Sequence, residues 1–250
     1  MGASAATASA IALAASLLCG AGAAQAEGRR VTQEQVMAGA AKLYEEQLTR
    51  LRASQRLDDN PRFNARVTAI AGRLIEQARR DYPESAAWAW ELHTTSDEEE
   101  NAFAMAGGKL LVSSAFVDRL TLNEAEIAML LAHEICHAVL LHNLREHQEA
   151  MRLEPHWAER PYEELEYATD HDFALMRKLA PSNSLQEEEA DREGMRLAAR
   201  AGWKPLELAG FFRKLARSSH SPNFRSIYHP APALRARAAL DLARELEGAR

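Results

Sequence analysis

Between Asn123 and Leu141 apolar residues fall on every side of a helical turn: Ile127–Leu131, Ile135 and Ala138–Leu141 leave almost no polar face. A helix of that kind belongs in a protein interior. Asn123 and Glu126 give it a capping box. Upstream, Thr32 to about Gln55 reads as a helix opened by a second capping box, Thr32 with Gln35. Asn60-Pro61 starts another, which runs to about Arg80 and stops at Tyr82-Pro83. The texture then changes. Ala87–Thr94 alternates and is aromatic, and Ala102–Met105 and Lys109–Ser113 flank Gly107-Gly108, so three strands are predicted, the last two as a hairpin. Beyond the buried helix, residues 145–186 are charged and helical, with breaks predicted at Pro155, Pro161 and Pro181. Further helices are predicted over Leu185–Ala201, ending at Gly202, over Pro205–Arg217 and over Pro232–Glu247. The sum is a mainly helical α+β domain with a small β-sheet.

Composition narrows this picture. With 250 residues, 47% hydrophobic and 26% charged, the chain suits one well-cored domain. A net charge of −6 argues against a nucleic-acid partner. Residues 1–26 stand apart, being alanine-rich and without a charged side chain before Glu27. Their apolar run Ile11–Leu18 and the small-x-small Ala24-Gln25-Ala26 mark a signal peptide, which leaves 27–250 as a single domain. The usual basic residue near Met1 is missing. Cys19 offers an alternative, a lipid anchor, although bulky Leu18 before it fits that signal poorly. Without the leader Cys136 is the only cysteine, so no intrachain disulfide can form. No apolar stretch in 145–186 is long enough to cross a membrane.

The candidate chemistry lies inside the buried helix, where His133-Glu134-Ile135-Cys136-His137 reads HExxH. Residues four apart share a helix face, so both imidazoles can reach one Zn²⁺ while Glu134 stands beside it to handle protons. A third ligand is needed. Glu187-Glu188-Glu189-Ala190-Asp191 supplies the best candidates, because Glu187 and Asp191 are also four apart. Glu187 can bind zinc while Asp191 accepts a hydrogen bond from a ligand histidine, fixing its tautomer.

These motifs resemble the HtpX/CAAX-prenyl-protease family of gluzincin zinc metalloendopeptidases, above all its soluble periplasmic or lipoprotein members. That family pairs HExxH with a downstream Glu-x-x-Ala-Asp, which maps its third ligand onto Glu187, with Glu188 the nearest competitor if the register slips. Asn101-Ala102-Phe103-Ala104 with Gly107-Gly108-Lys109-Leu110-Leu111-Val112 is similar to its strand pair before the active-site helix. Ala201-Gly202-Trp203-x-Pro205 and His229-Pro230 with Arg235 match its later motifs, so the likeness covers about residues 34–240. Cys136 departs from it, standing where a small residue is usual, and is expected as a small core residue.

The resemblance implies a zincin-like metallopeptidase domain with one zinc per chain, acting in the periplasm on unfolded or misfolded envelope proteins. Membrane proximity is compatible with it, but the mature chain has no transmembrane helix. Glu134 is then the general base, and the substrate lies extended along Lys109, Leu110, Leu111, Val112 and Ser113 as an edge strand. His229 is placed near the metal, to stabilise an oxyanion or to latch the site. The alternative function is a zinc-containing folding factor or holdase with little or latched proteolysis. His142 is expected to support the end of the HExxH helix and Arg235 to anchor a carboxylate. His93, His147, His156, His171 and His220 are expected at the surface.

Overall fold

The computed structural model describes residues 30–249, apart from 221, 222 and 224–228; the leader, Cys19 and the cleavage point expected before Glu27 lie outside them. Helices α1 (Gln33–Ala53) and α2 (Pro61–Asp81) begin at their expected caps, Thr32 with Gln35 in a reciprocal box and Asn60 accepting from the Phe63 amide. The sheet follows as β1 (Glu91–Thr95), β2 (Ala102–Met105) and β3 (Lys109–Ser113). Short α3 (Ser114–Arg119) leads to α4 (Glu124–Val139), which carries HExxH, and then to α5 (His142–Leu153) and α6 (Tyr162–His171). The chain closes with α7 (Phe173–Arg200), α8 (Pro205–Leu208), α9 (Gly210–Ser218) and α10 (Pro232–Gly248). No single helix among the described residues is long and apolar enough to cross a membrane.

Strand order is β1-β3-β2, with β1 parallel and β2 antiparallel to β3. This corrects one expectation: Lys109–Ser113 is the central strand, so its backbone is already paired on both sides and is not an edge. The outer side of β1 is partly covered, since Leu57 forms a bridge with Thr95 and the Asp58 amide donates to Thr94 O at 2.8 Å. The open edge among the described residues is β2. On β3, Leu110 and Val112 enter the main core with α2 and α4, while Leu111 faces α1 beside Tyr44, Leu48 and Leu51. The sheet is thereby held between α1 and the HExxH helix, as period-two alternation requires.

Helix α4 is the centre of the main core, with Ile127, Leu131 and Ile135 wholly buried. Truncating any of these to alanine costs about 2–5 kcal/mol. Its N-terminus is fixed by the Asn123–Glu126 box, and Lys214 from α9 donates to the same Glu126 carboxylate at 2.6 Å.

Three predicted boundaries shift. Pro83–Ala87 is a 3₁₀ turn, and the alternation read as strand comes from Trp88 and Trp90 folding over it, with Trp90 Nε1 donating to Ser85 O at 2.9 Å. Pro181 does not break α7, which runs for 28 residues through it. An interior proline costs about 3 kcal/mol; here Leu175, Met176 and Leu179 are buried before it and Glu187 and Ala190 after it, so packing on both sides offsets that cost and the helix continues. The predicted Pro205–Arg217 helix is divided at Ala209, where Gly210 sits against Glu126 so closely that a Cβ would lie 2.6 Å from the carboxylate.

Candidate metal centre

Two helices supply the donor atoms, and a glycine sets how near they come. Gly194 in α7 lies against the α4 backbone, where a Cβ would stand 2.9 Å from the His133 amide nitrogen. Two turns earlier in α7, Glu187 is buried beside His133 and His137. His133 Nε2 and His137 Nε2 are 3.2 Å apart. Glu187 Oε1 is 3.1 Å from His137 Nε2, and its Oε2 is 3.7 Å from His133 Nε2. A tetrahedral zinc with bonds of about 2.0–2.1 Å has ligand–ligand edges of about 3.3 Å. Two imidazoles and one carboxylate at these separations fit zinc. Glu188, the competitor for the third position, is exposed.

The non-converging atoms also have neighbours. His133 Nδ1 is 2.9 Å from Asp191 Oδ1, and Arg235 grips Asp191 with two hydrogen bonds of 2.7 and 2.6 Å. Arg235 reaches Glu187 Oε2 as well, at 3.3 Å, which bears out its expected role as a carboxylate anchor. His229 Nδ1 lies 2.8 Å from Glu187 Oε2 at the mouth of the site.

His142 is not at the end of α4. Leu140 and Leu141 intervene, and Leu141 takes the left-handed conformation (φ 57°) that swings the chain into α5. Such a conformation costs a non-glycine residue of order 1–3 kcal/mol. Its result is that His142, buried at the start of α5, turns back onto His137 with an Nδ1–Nδ1 contact of 3.0 Å. On the other side His142 Nε2 is 3.4 Å from Glu189 Oε2, which Arg145 holds at 2.7 Å. Glu189 and Arg145 carry no sequence signal for this; their part depends on α5 packing against α7.

Charge explains the cohesion. Burial acts to raise the Glu187 carboxyl, but His133, His137 and His229 outweigh it and hold it well below the usual carboxylate range. Asp191 follows the same pattern, burial opposing and Arg235 then His133 prevailing. The Glu134 carboxyl, by contrast, is raised, because burial dominates the pull of His133 and His137. A raised carboxyl is the better proton acceptor.

Elsewhere the outcome is mixed. Cys136 is a free, buried core residue as expected. His147 is buried rather than at the surface, packed against Tyr162 with its Nδ1 2.6 Å from Asn143 O. His93 is partly buried between Asp58 and Glu91, and His156 and His171 are on the surface.

Comparison with known proteins agrees with this geometry. The family described as Peptidase family M48 matches residues 61–243. The Beta-barrel assembly-enhancing protease of Yersinia pestis is 27% identical over 205 residues, covering 73% of this chain and 39% of that protein. The protein of the same name from Escherichia coli K12 is 27% identical over 196 residues, with the same coverage. The mitochondrial metalloendopeptidase OMA1 of Bos taurus is 29% identical over 146 residues, or 54% of this chain and 28% of that one. The chain thus spans about two fifths of the length of the first two relatives.

Proposed function

The chain belongs to peptidase family M48, and from that premise we propose that it is a zinc-dependent endopeptidase cutting unfolded or misfolded proteins of the bacterial envelope. The observation that carries this reading is the convergence of His133, His137 and Glu187, whose donor atoms all lie within 4.8 Å of one another, with Glu134 on the same helix beside them. Bound there, zinc would polarise the scissile carbonyl and ease deprotonation of a water. Glu134 takes the water's proton on its carboxylate and returns it to the leaving amine. Asp191 and Arg235 hold His133 and Glu187 in place. His229, from the mouth of the site, supplies a donor toward the developing oxyanion.

The substrate strand needs an unpaired edge, which Lys109–Ser113 does not offer. Strand β2 does, and it packs against the HExxH helix. An extended peptide added to Ala102–Met105 would make backbone hydrogen bonds that read little side-chain information, which suits clients with no common sequence. The periplasmic setting and the envelope clients are carried over from the likeness to the assembly-enhancing proteases and from the leader-like residues 1–26.

A latched enzyme, or a holdase that rarely cuts, is the second reading, and the 2.8 Å contact between His229 and Glu187 favours it, since that imidazole already touches a ligand. The test is cleavage of an unfolded model protein by residues 27–250 with zinc, beside Glu134→Gln. Cutting by the wild type that is lost in the variant with zinc still bound supports the peptidase and its base. Zinc-loaded wild type that leaves the substrate whole would turn the argument to the latch.

A further inference from the structure

We infer that His142 is a positioning residue which, held by Glu189, decides which nitrogen of His137 carries the proton and so keeps Nε2 free for a metal. The inference rests on the metallopeptidase reading of the site. Its starting point is a contact between two nitrogens of like type, His137 Nδ1 and His142 Nδ1, 3.0 Å apart. Two neutral imidazoles can share such a contact in only two ways, because one nitrogen must donate and the other accept. If His142 donates from Nδ1, then His137 Nδ1 is the acceptor and its proton sits on Nε2. That nitrogen points at His133 Nε2 and Glu187 Oε1, so a proton on it blocks the metal. If instead His137 donates from Nδ1, its Nε2 lone pair faces the other donor atoms.

Glu189 makes the choice. Its carboxylate only accepts, and it lies 3.4 Å from His142 Nε2. The proton of His142 therefore belongs on Nε2, its Nδ1 is left as an acceptor, and His137 is obliged to donate. Arg145 keeps the Glu189 carboxylate in place at 2.7 Å. The order is Arg145, Glu189, His142, His137, each group fixing the next. His133 has a simpler arrangement, with Asp191 directly at its Nδ1. The two ligand histidines are thus oriented by different means, one by a carboxylate and one by a carboxylate acting through a second imidazole. Glu187, Glu189 and Asp191 of one helix then serve the site in three ways: as ligand, through His142, and at His133.

The rings of His137 and His142 meet edge-on, at 84°, an arrangement that brings nitrogen to nitrogen and not ring face to ring face. Partners of ligand histidines are typically worth about 10–100-fold in metal affinity. Glutamine at 142 offers a carbonyl to His137 Nδ1–H, whereas leucine fills similar space and accepts nothing.

The experiment measures zinc affinity of the full chain by chelator competition for wild type, His142→Gln and His142→Leu, with thermal unfolding of each metal-free protein alongside. Leucine should weaken zinc by about 10–100-fold and glutamine by far less, with little difference between their metal-free unfolding temperatures. Equal affinities for the two variants would overturn the inference, as would a loss for leucine that only follows its loss of stability. Histidine ¹⁵N shifts of the zinc-loaded wild type give a reading that needs no variant to fold. They should show His142 with its proton on Nε2; a proton on Nδ1 defeats the proposal. Wild type that binds no zinc removes the metal reading beneath it. Wild type that binds zinc while the variants or the ¹⁵N shifts disagree removes this inference alone.

Discussion

Glu146 illustrates what one side chain contributes away from the metal. It lies one turn beyond His142 in α5, accepting a 2.5 Å hydrogen bond from Asn183 Nδ2. Burial pushes its carboxyl up to about 7 from an ordinary 4.5, with Asn183 opposing and Asp170 adding to the rise. Between those two values the unfolded chain loses this proton while the folded chain keeps it. Stability should therefore fall as pH rises through that window and level off above it. Glu146→Gln keeps an acceptor for Asn183 and cannot ionise, so it should remove that slope and gain about 1–3 kcal/mol at pH 8. Urea midpoints at pH 5 and pH 8 would show it, and parallel profiles for the two proteins would contradict it. His229→Ala tests the mouth of the site: kcat should fall by about 10²-fold for a lost oxyanion donor, whereas a rise would identify a latch. Among these residues, the convergence of His133 and His137 was legible in the sequence because a spacing of four encodes a shared face. Choosing Glu187 over Glu188 by geometry needed the helix in place. Glu189 stayed hidden because its role passes through another helix, and nothing local to it indicates α5.

Helices and strands were readable to the extent that their signals are local. Both capping boxes and the Asn60-Pro61 start appeared where expected, since a cap involves only residues within one turn. Pro181 was misread because its cost is local while the packing that offsets it comes from other helices. The edge strand was misread for a related reason: residues reveal that a segment is a strand, but its neighbours are decided by the whole sheet. At this scale Gly194 is the informative position. Gly194→Ala would place a methyl against the α4 backbone, 2.9 Å from the His133 amide nitrogen, where nothing flexible can yield. Overpacking of this kind costs about 1–3 kcal/mol. Because His133 and Glu187 ride on the two helices being forced apart, zinc affinity should fall together with the unfolding temperature. Calorimetry on metal-free protein beside a zinc titration would separate the effects, and an unchanged affinity would mean that the ligands tolerate the helix shift.

Across the whole molecule, zinc would tie α4 to α7, and so the N-terminal layers of helix and sheet to the C-terminal helices. At a free concentration 100 times Kd, one zinc adds about 2.7 kcal/mol of stability, or roughly 5–10 °C in Tm for a domain of this size. Adding a chelator should lower Tm by that amount in the wild type, and much less in a His133→Ala, His137→Ala double variant; equal shifts in both would point to a metal bound elsewhere. The sheet has a different bearing on how the molecule would meet its clients. Strand β2 has four residues, Ala102–Met105. Pairing with it takes roughly 13 Å of extended chain, against about 6 Å for the same residues coiled in a helix. A client need not come apart as a whole; a single frayed stretch of that length is enough to be caught. The rate of cutting would then follow how often a client's weakest segment opens, and two proteins of equal overall stability could have very different lifetimes beside this enzyme.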